Sequence, residues 1–179
     1  MNIKYAILGF LSWKPFTGYE LKKLFANSMI FYWSGNNNQI YTTLIQLHKE
    51  GLVTNQVQHQ ENLPSRKIYT LTESGSEYLK QWLLSSPEIP QIKKSFLVQL
   101  AWSNLLSQSE IDTMIEKYEY EINMQLLMHR EKKRRGDAIN PSRTSRENYI
   151  WKMISENFIR SYESELAWLR ELRKNLVEL

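Results

Sequence analysis

Apolar residues recur at helical spacing from the start of the chain. Ile3, Ala6, Ile7, Phe10 and Leu11 fall on one face of an amphipathic helix, and Lys14-Pro15-Phe16 ends it. Thr17-Gly18-Tyr19-Glu20 follows. A hydroxyl with a carboxylate three residues on is a capping box, in which each side chain satisfies a free backbone N–H. It opens a second helix with Leu21, Leu24 and Phe25 on its buried side. Ser34-Gly35-Asn36 starts a third, whose Ile40, Leu44 and Leu47 face inward and which runs to Glu50 and stops at Gly51. The period then shortens. LVTNQV (52–57) and RKIYTL (66–71) carry β-branched residues in partial alternation, the mark of two strands. The polar HQENLPS between them predicts a long exposed hairpin tip. Thr72 caps a fourth helix that includes Tyr78, Leu79, Trp82 and Leu83.

SSPEIP (85–90) holds two prolines and two serines and reads as a linker. Beyond it the pattern is helical throughout. Ile92 to Leu106 forms one segment, and Ser107 to Glu110 is a second capping box. It opens a long helix with Ile111, Met114, Ile115, Tyr118, Ile122, Leu126 and His129 on one stripe. The last helix carries Tyr149, Ile150, Met153, Ile154, Phe158, Tyr162, Leu166, Trp168, Leu169, Leu172 and Leu176 on its stripe. A helix of about 30 residues extends about 45 Å, beyond the ~26 Å diameter of a compact 100-residue domain. It needs a partner along its length. A second copy of the chain is the expected one, with Ile154, Phe158, Tyr162, Leu166 and Leu169 as the dimer seam. The expected fold is mainly α with a small β-hairpin: a winged helix-turn-helix over 1–84 and a helical dimerisation domain over 91–179.

The third helix begins with a polar, almost uncharged tip. Asn37 stands at its start, and Asn38, Gln39, Thr42, Thr43 and Gln46 are read as its outward face. Asn and Gln can make paired hydrogen bonds to adenine, and a Thr methyl can pack on that of thymine. In helix-turn-helix proteins the N-terminal residues of the second motif helix meet base edges in the major groove. Arg66 and Lys67 on the hairpin suit phosphate contacts. Asn and Ser are also ordinary helix caps that need no ligand. The helix–helix–helix–hairpin order is what favours DNA, although winged helices also serve as protein-interaction modules.

Charge adds little. The net charge of +4 and the pI near 9.2 permit an acidic partner. The excess is spread evenly, with 8 basic against 6 acidic residues in 1–90 and 15 against 13 in 91–179. The chain has no Cys and only two Asp, and lacks a GxSxG motif or a phosphate-cradling glycine loop. His48, His59 and His129 stand in separate elements. No catalytic constellation, cofactor or metal site is expected. The lack of Cys fits a reducing cytoplasm, and the first apolar run is too short to span a membrane. REKKRR (130–135) reads as a solvated helix end whose cations complement the dipole. Trp102, Trp151 and Trp168 are candidates for an aromatic-lined effector pocket at a dimer interface, although tryptophans more often serve packing.

YAILGFL (5–11), TGYEL (17–21), IYTTLIQLHKEGLV (40–53) and RKIYTLTESGSEYL (66–79) together resemble the PadR family of bacterial transcriptional regulators. The resemblance implies a homodimeric, usually repressing, cytoplasmic regulator that binds double-stranded DNA. It places the family's DNA-facing tyrosine on Tyr41, the tyrosine of its GYEL segment on Tyr19, and its basic wing on Arg66 and Lys67. With Lys22, these are the expected phosphate-binding residues. Where the family often has Pro after the Tyr of its IYP segment, this chain has Thr42, a change of local contacts that leaves the fold intact. The resemblance also brings a small aromatic effector as an expected partner. Two other readings stand beside it: a winged-helix adaptor that binds protein, and a small-molecule-binding protein with no role on DNA.

Overall fold

The computed structural model describes residues 3–28, 37–60, 63–89, 94–135 and 144–176. In the first 88 residues, which form one unit, the elements are α1 (Ile3–Leu11), β1 (Phe16–Thr17), α2 (Gly18–Asn27), α3 (Asn37–Lys49), β2 (Val53–Gln60), β3 (Leu63–Leu71) and α4 (Glu73–Leu83). The apolar stripes of α1, α2 and α3 converge, and Ile7, Leu8, Leu21, Leu44, Leu47 and Val53 are almost wholly buried. Phe10 meets Phe25 edge-on at 5.2 Å. The Thr17 hydroxyl accepts from the Glu20 N–H at 3.1 Å, and the Glu20 carboxylate accepts from the Thr17 N–H at 2.7 Å, so the foreseen capping box starts α2. Gly51 has φ of 71°, a left-handed turn that glycine adopts without a Cβ clash.

The hairpin differs from expectation. Its strands run through Gln60 and from Leu63, so most of the segment read as a long tip is strand; residues 61–62 lie outside the described ones. The register shifts between Gln58↔Arg66 and Gln60↔Leu63, at Pro64. A proline has no N–H for the ladder, and a bulge is where it fits. β1, unforeseen, pairs with β3 through Phe16↔Tyr69 and Thr17↔Ile68, giving the sheet order β1-β3-β2. At the base of the wing, the Thr72 hydroxyl accepts from the Gly75 N–H at 3.0 Å and donates to the Gly51 carbonyl at 2.8 Å. A Cβ on Gly75 would lie 2.1 Å from the Leu52 carbonyl oxygen, so α4 seats directly on the turn after α3.

The second unit, 89–179, holds α5 (Ser95–Ala101), a single 3-10 turn at Ser103–Leu105, α6 (Gln108–Arg135) and α7 (Ser145–Leu176). The expected segment from Ile92 to Leu106 is thus a short helix and a turn, with Ile92 outside the described residues. α6 and α7, of 28 and 32 residues and so about 42 and 48 Å long, pack antiparallel. Arg130–Glu163 at 2.6 Å, Arg173–Glu119 at 3.1 Å and a Lys133–Glu156 pair join them. Phe96 stacks on Tyr118 with ring centroids 3.9 Å apart and closes one end of the core. The Tyr118 hydroxyl donates to Glu165 at 2.9 Å; burial, then this carboxylate, pushes its pKa up to about 12.

The expected dimer seam needs correction. Leu166 and Leu169 are 3% and 1% exposed within one chain, part of the core with Ile111, Ile115 and Leu126. Phe158 and Tyr162 lie against His129, with ring centroids 5.4 and 5.2 Å away, and Ile154 is half-buried. The long stripe of α7 finds its partner in α6. The basic run at the end of α6 is likewise engaged: Arg134 and Arg135 both donate to Glu131 and hold its carboxyl down at about 2. α7 starts with a further capping box, in which Thr144 and Glu147 exchange backbone bonds at 2.8 and 3.2 Å.

Two outcomes follow. Gly75→Ala should cost about 1–3 kcal/mol, because a backbone carbonyl cannot step aside; thermal melting reads the loss directly. His129 is buried, with no hydrogen-bond partner for Nδ1 among the described residues; burial, then Lys132, lowers its pKa. The unfolded imidazole takes up a proton near pH 6.5 that the folded one resists. This contribution is therefore intact above about pH 6.5 and lost as pH falls toward the folded value. The melting temperature should drop between pH 7 and 5, and His129→Leu should flatten part of that drop.

Candidate nucleic-acid interface

The buried stripe of α3 decides which of its side chains reach outward. Ile40, Leu44 and Leu47 are at most 3% exposed, while Asn38, Gln39 and Thr42 are exposed. Thr43, expected on the outer face, is buried at 9%. It stands three residues after Ile40 and one before Leu44, so the helical period carries it inward. The side chain of Asn37 lies outside the described ones. The Thr42 hydroxyl donates to the Asn38 carbonyl at 2.8 Å, leaving its methyl and lone pairs to meet a base. Farther along, the Gln46 amide donates to Glu50 at 2.9 Å, which also pairs with Lys4 at 2.6 Å. Gln46 is tied to the scaffold, and the outward-facing groups sit in the first turns.

Around this edge the remaining predicted residues take different stations. A Cβ on Gly18 would lie 2.5 Å from Cε1 of Tyr41, so the Tyr41 ring rests on the first residue of α2 and joins the two motif helices. The ring stays 42% exposed. Tyr19 is exposed with the Lys23 ammonium 4.6 Å from its ring centre, and Lys22 is half-buried. Burial works against ionisation of Glu20. The Thr17 backbone and hydroxyl bonds, then the nearby Lys14 and Arg66, outweigh it and lower the pKa. Arg66 therefore lies near the first turn of α2. Arg66 pairs across the ribbon with Gln58, and Lys67 with Val57; neighbours on a strand face opposite sides, so the two cations flank the wing. The Arg66 Nε–H donates to Gln58 Oε1 at 2.7 Å, a partner the sequence does not mark, because glutamine on a polar strand looks like any solvated residue.

The three tail tryptophans do not gather in one chain. Trp151 and Trp168 stand 17 residues apart on α7, about 26 Å along its axis. Trp168 packs edge-on against Phe96 at 6.3 Å, and Trp102 is 70% exposed after α5. Trp151 and Trp168 therefore do not share one pocket within a protomer, and the effector pocket expected from the three is one at a dimer interface. Among the described residues, no group of three His, Asp or Glu could hold a metal, and no helix is long and apolar enough to cross a membrane.

Three helices, a two-stranded wing and an amide-bearing edge on the third helix define a winged helix-turn-helix protein with a long-helix tail. Residues 7–81 match the transcriptional regulator PadR-like family, and residues 92–176 match the family described as virulence activator alpha C-term. The first of these likens the first unit of the chain to the PadR-like transcriptional regulators. It is 33% identical over 115 residues to the negative transcriptional regulator PadR of Bacillus subtilis, a match spanning 64% of this chain and 63% of that relative. It is 26% identical over 188 residues to the probable transcriptional regulator Rv1176c of Mycobacterium tuberculosis, covering 99% of each. Among solved structures, Bacillus subtilis PadR in complex with operator DNA superposes with a TM-score of 0.80 at 25% identity, over 95% of this chain and 96% of that one. The Vibrio cholerae virulence activator AphA shares the fold at a TM-score of 0.73 and 19% identity, over 99% of each.

The Gly18–Tyr41 contact gives a test of the motif's geometry. Gly18→Ala should lower the melting temperature less than Gly75→Ala, since a ring can swing aside where a carbonyl cannot. Adding Tyr41→Ala to Gly18→Ala should recover part of the loss, which the same melts would show.

Proposed function

We propose that this chain is a homodimeric repressor that reads a pseudo-palindromic operator with two copies of α3 in successive major grooves. The carrying observation is the exposed edge of Asn38, Gln39 and Thr42, fixed from behind by the buried Ile40, Thr43, Leu44 and Leu47. Gln39 and Asn38 read base edges by paired amide bonds. Tyr19, Lys22, Tyr41, Arg66 and Lys67 hold the backbone, and half-sites lie about 34 Å apart or a multiple of that. The operator complex of the Bacillus subtilis relative supports this reading.

The tail supplies the second copy. Tyr120, Met124 and Leu127 recur at i, i+4 and i+7 on the side of α6 away from α7, and all are exposed, as are Tyr149, Ile150 and Met153 at the start of α7. These residues, rather than Leu166 and Leu169, are the proposed dimer contacts. Repression follows from excluding polymerase from the operator, which places the protein in the cytoplasm. The p-coumaric acid complex of the Bacillus subtilis relative makes a small aromatic acid the effector class to test. It would act by favouring a dimer geometry that no longer fits the operator.

Selecting bound sequences from a random duplex pool, then measuring binding to them at several salt concentrations, tests the reading. A protein-binding adaptor would select nothing and show no salt dependence. Gln39→Ala should relax specificity at one base position by about 1–3 kcal/mol. Lys67→Ala should weaken all sequences alike and reduce the magnitude of the salt slope by about 1; an unchanged slope removes Lys67 from the phosphate contacts.

A further inference from the structure

The wing carries an arrangement that its charge alone does not explain. β1 pairs with β3 only at Ile68 and Tyr69, so at Arg66 and Lys67 the sheet is a two-stranded ribbon. Tyr69 points to the core. Alternation puts Lys67 on that side and Arg66 on the other, with Ile68 and Thr70. Directly opposite Arg66 stands Gln58, and both are exposed. Cross-strand partners on one face come within reach of each other, and here they meet in a 2.7 Å bond from Nε–H to the glutamine carbonyl oxygen.

That bond uses one of five guanidinium donors. Among the described residues Arg66 makes no other hydrogen bond, so its Nη1 and Nη2 edge is left for a ligand. An unrestrained arginine spreads over many rotamers, and ordering it on binding costs entropy. Holding the planar group by its Nε removes much of that cost, and two-pronged recognition of an oxyanion depends on the orientation of the plane.

We infer that Gln58 is a positioning residue of the wing: its side-chain carbonyl clamps Nε of Arg66 and turns the Nη edge into a preset two-pronged donor for one DNA phosphate. This rests on the DNA-binding reading above. The amide is neutral, so Gln58 changes affinity without changing the number of charges brought to DNA.

The test uses full-length protein and a duplex from the selection, with binding followed by fluorescence anisotropy across a salt series. Gln58→Leu should weaken binding about three- to tenfold, the scale of one hydrogen bond, with the salt slope unchanged. Arg66→Ala should both weaken binding and reduce the slope. Adding Gln58→Leu to Arg66→Ala should cause no further loss, because the clamped group is gone. Both positions are exposed, so circular dichroism and melting should match the wild type, and Gln58→Ser should repeat the Gln58→Leu result. Wild-type affinity in both Gln58 variants overturns the inference. So does an equal loss from Gln58→Leu with and without Arg66, since Gln58 would then touch DNA itself. A wild-type protein that binds no duplex ends the DNA reading as a whole; a salt-dependent wild type with an inert Gln58 ends only the clamp.

Discussion

Burial of one stripe on α3 governs the first unit. Ile40, Thr43, Leu44 and Leu47 sit against α1 and α2, and each residue of a helix is turned about 100° from the last. Fixing those four fixes the direction of every other side chain on the helix. Gln39, four residues before Thr43 and so about 40° from it around the axis, stands at the margin of the buried stripe and is exposed. The apolar contacts supply the energy and the polar tip supplies the surface, and the helical period makes the two inseparable. The Gly18–Tyr41 approach adds the angle between α2 and α3, which the stripe alone leaves open.

The wing is held by a different logic. A two-stranded ribbon has little core of its own and is stable only where it is anchored. Its anchors are all at the base: Thr72 bonded to Gly51 and Gly75, Gly75 pressed on Leu52, and β1 pairing for two residues. Beyond them the ribbon reaches outward as a lever bearing Arg66 on one side and Lys67 on the other. Both cations stay exposed, so neither pays for desolvation until a partner arrives.

Much of this was legible in the residues. The capping box at Thr17, the half of one at Ser107 in which Glu110 takes the Ser107 N–H, the stop at Gly51 and the change of period at Leu52 are local signals, and local signals survive in a sequence. What was missed depends on pairing across distance. β1 is two residues long and has no period. The clamp between Gln58 and Arg66 exists only because the register set at the base, Val53↔Leu71, runs unbroken to Gln58↔Arg66. At Thr43 residue type and period disagree: a threonine beside an exposed threonine looks polar-faced, yet it lies on the apolar stripe.

The tail shows why length is an incomplete argument for a partner. A helix of about 45 Å does need company along its flank, but α6 is nearly as long as α7 and meets the need within the chain. The informative quantity is the apolar side chain left over once that pairing is made. Leu166 and Leu169 are consumed by it, whereas Tyr120, Met124 and Leu127 recur at helical spacing on the far side of α6 and are exposed. Single exposed apolar residues are ordinary on a protein surface. Three on one stripe of a helix whose opposite stripe is already filled give that helix two apolar faces, and the second face is the one the proposed dimer uses.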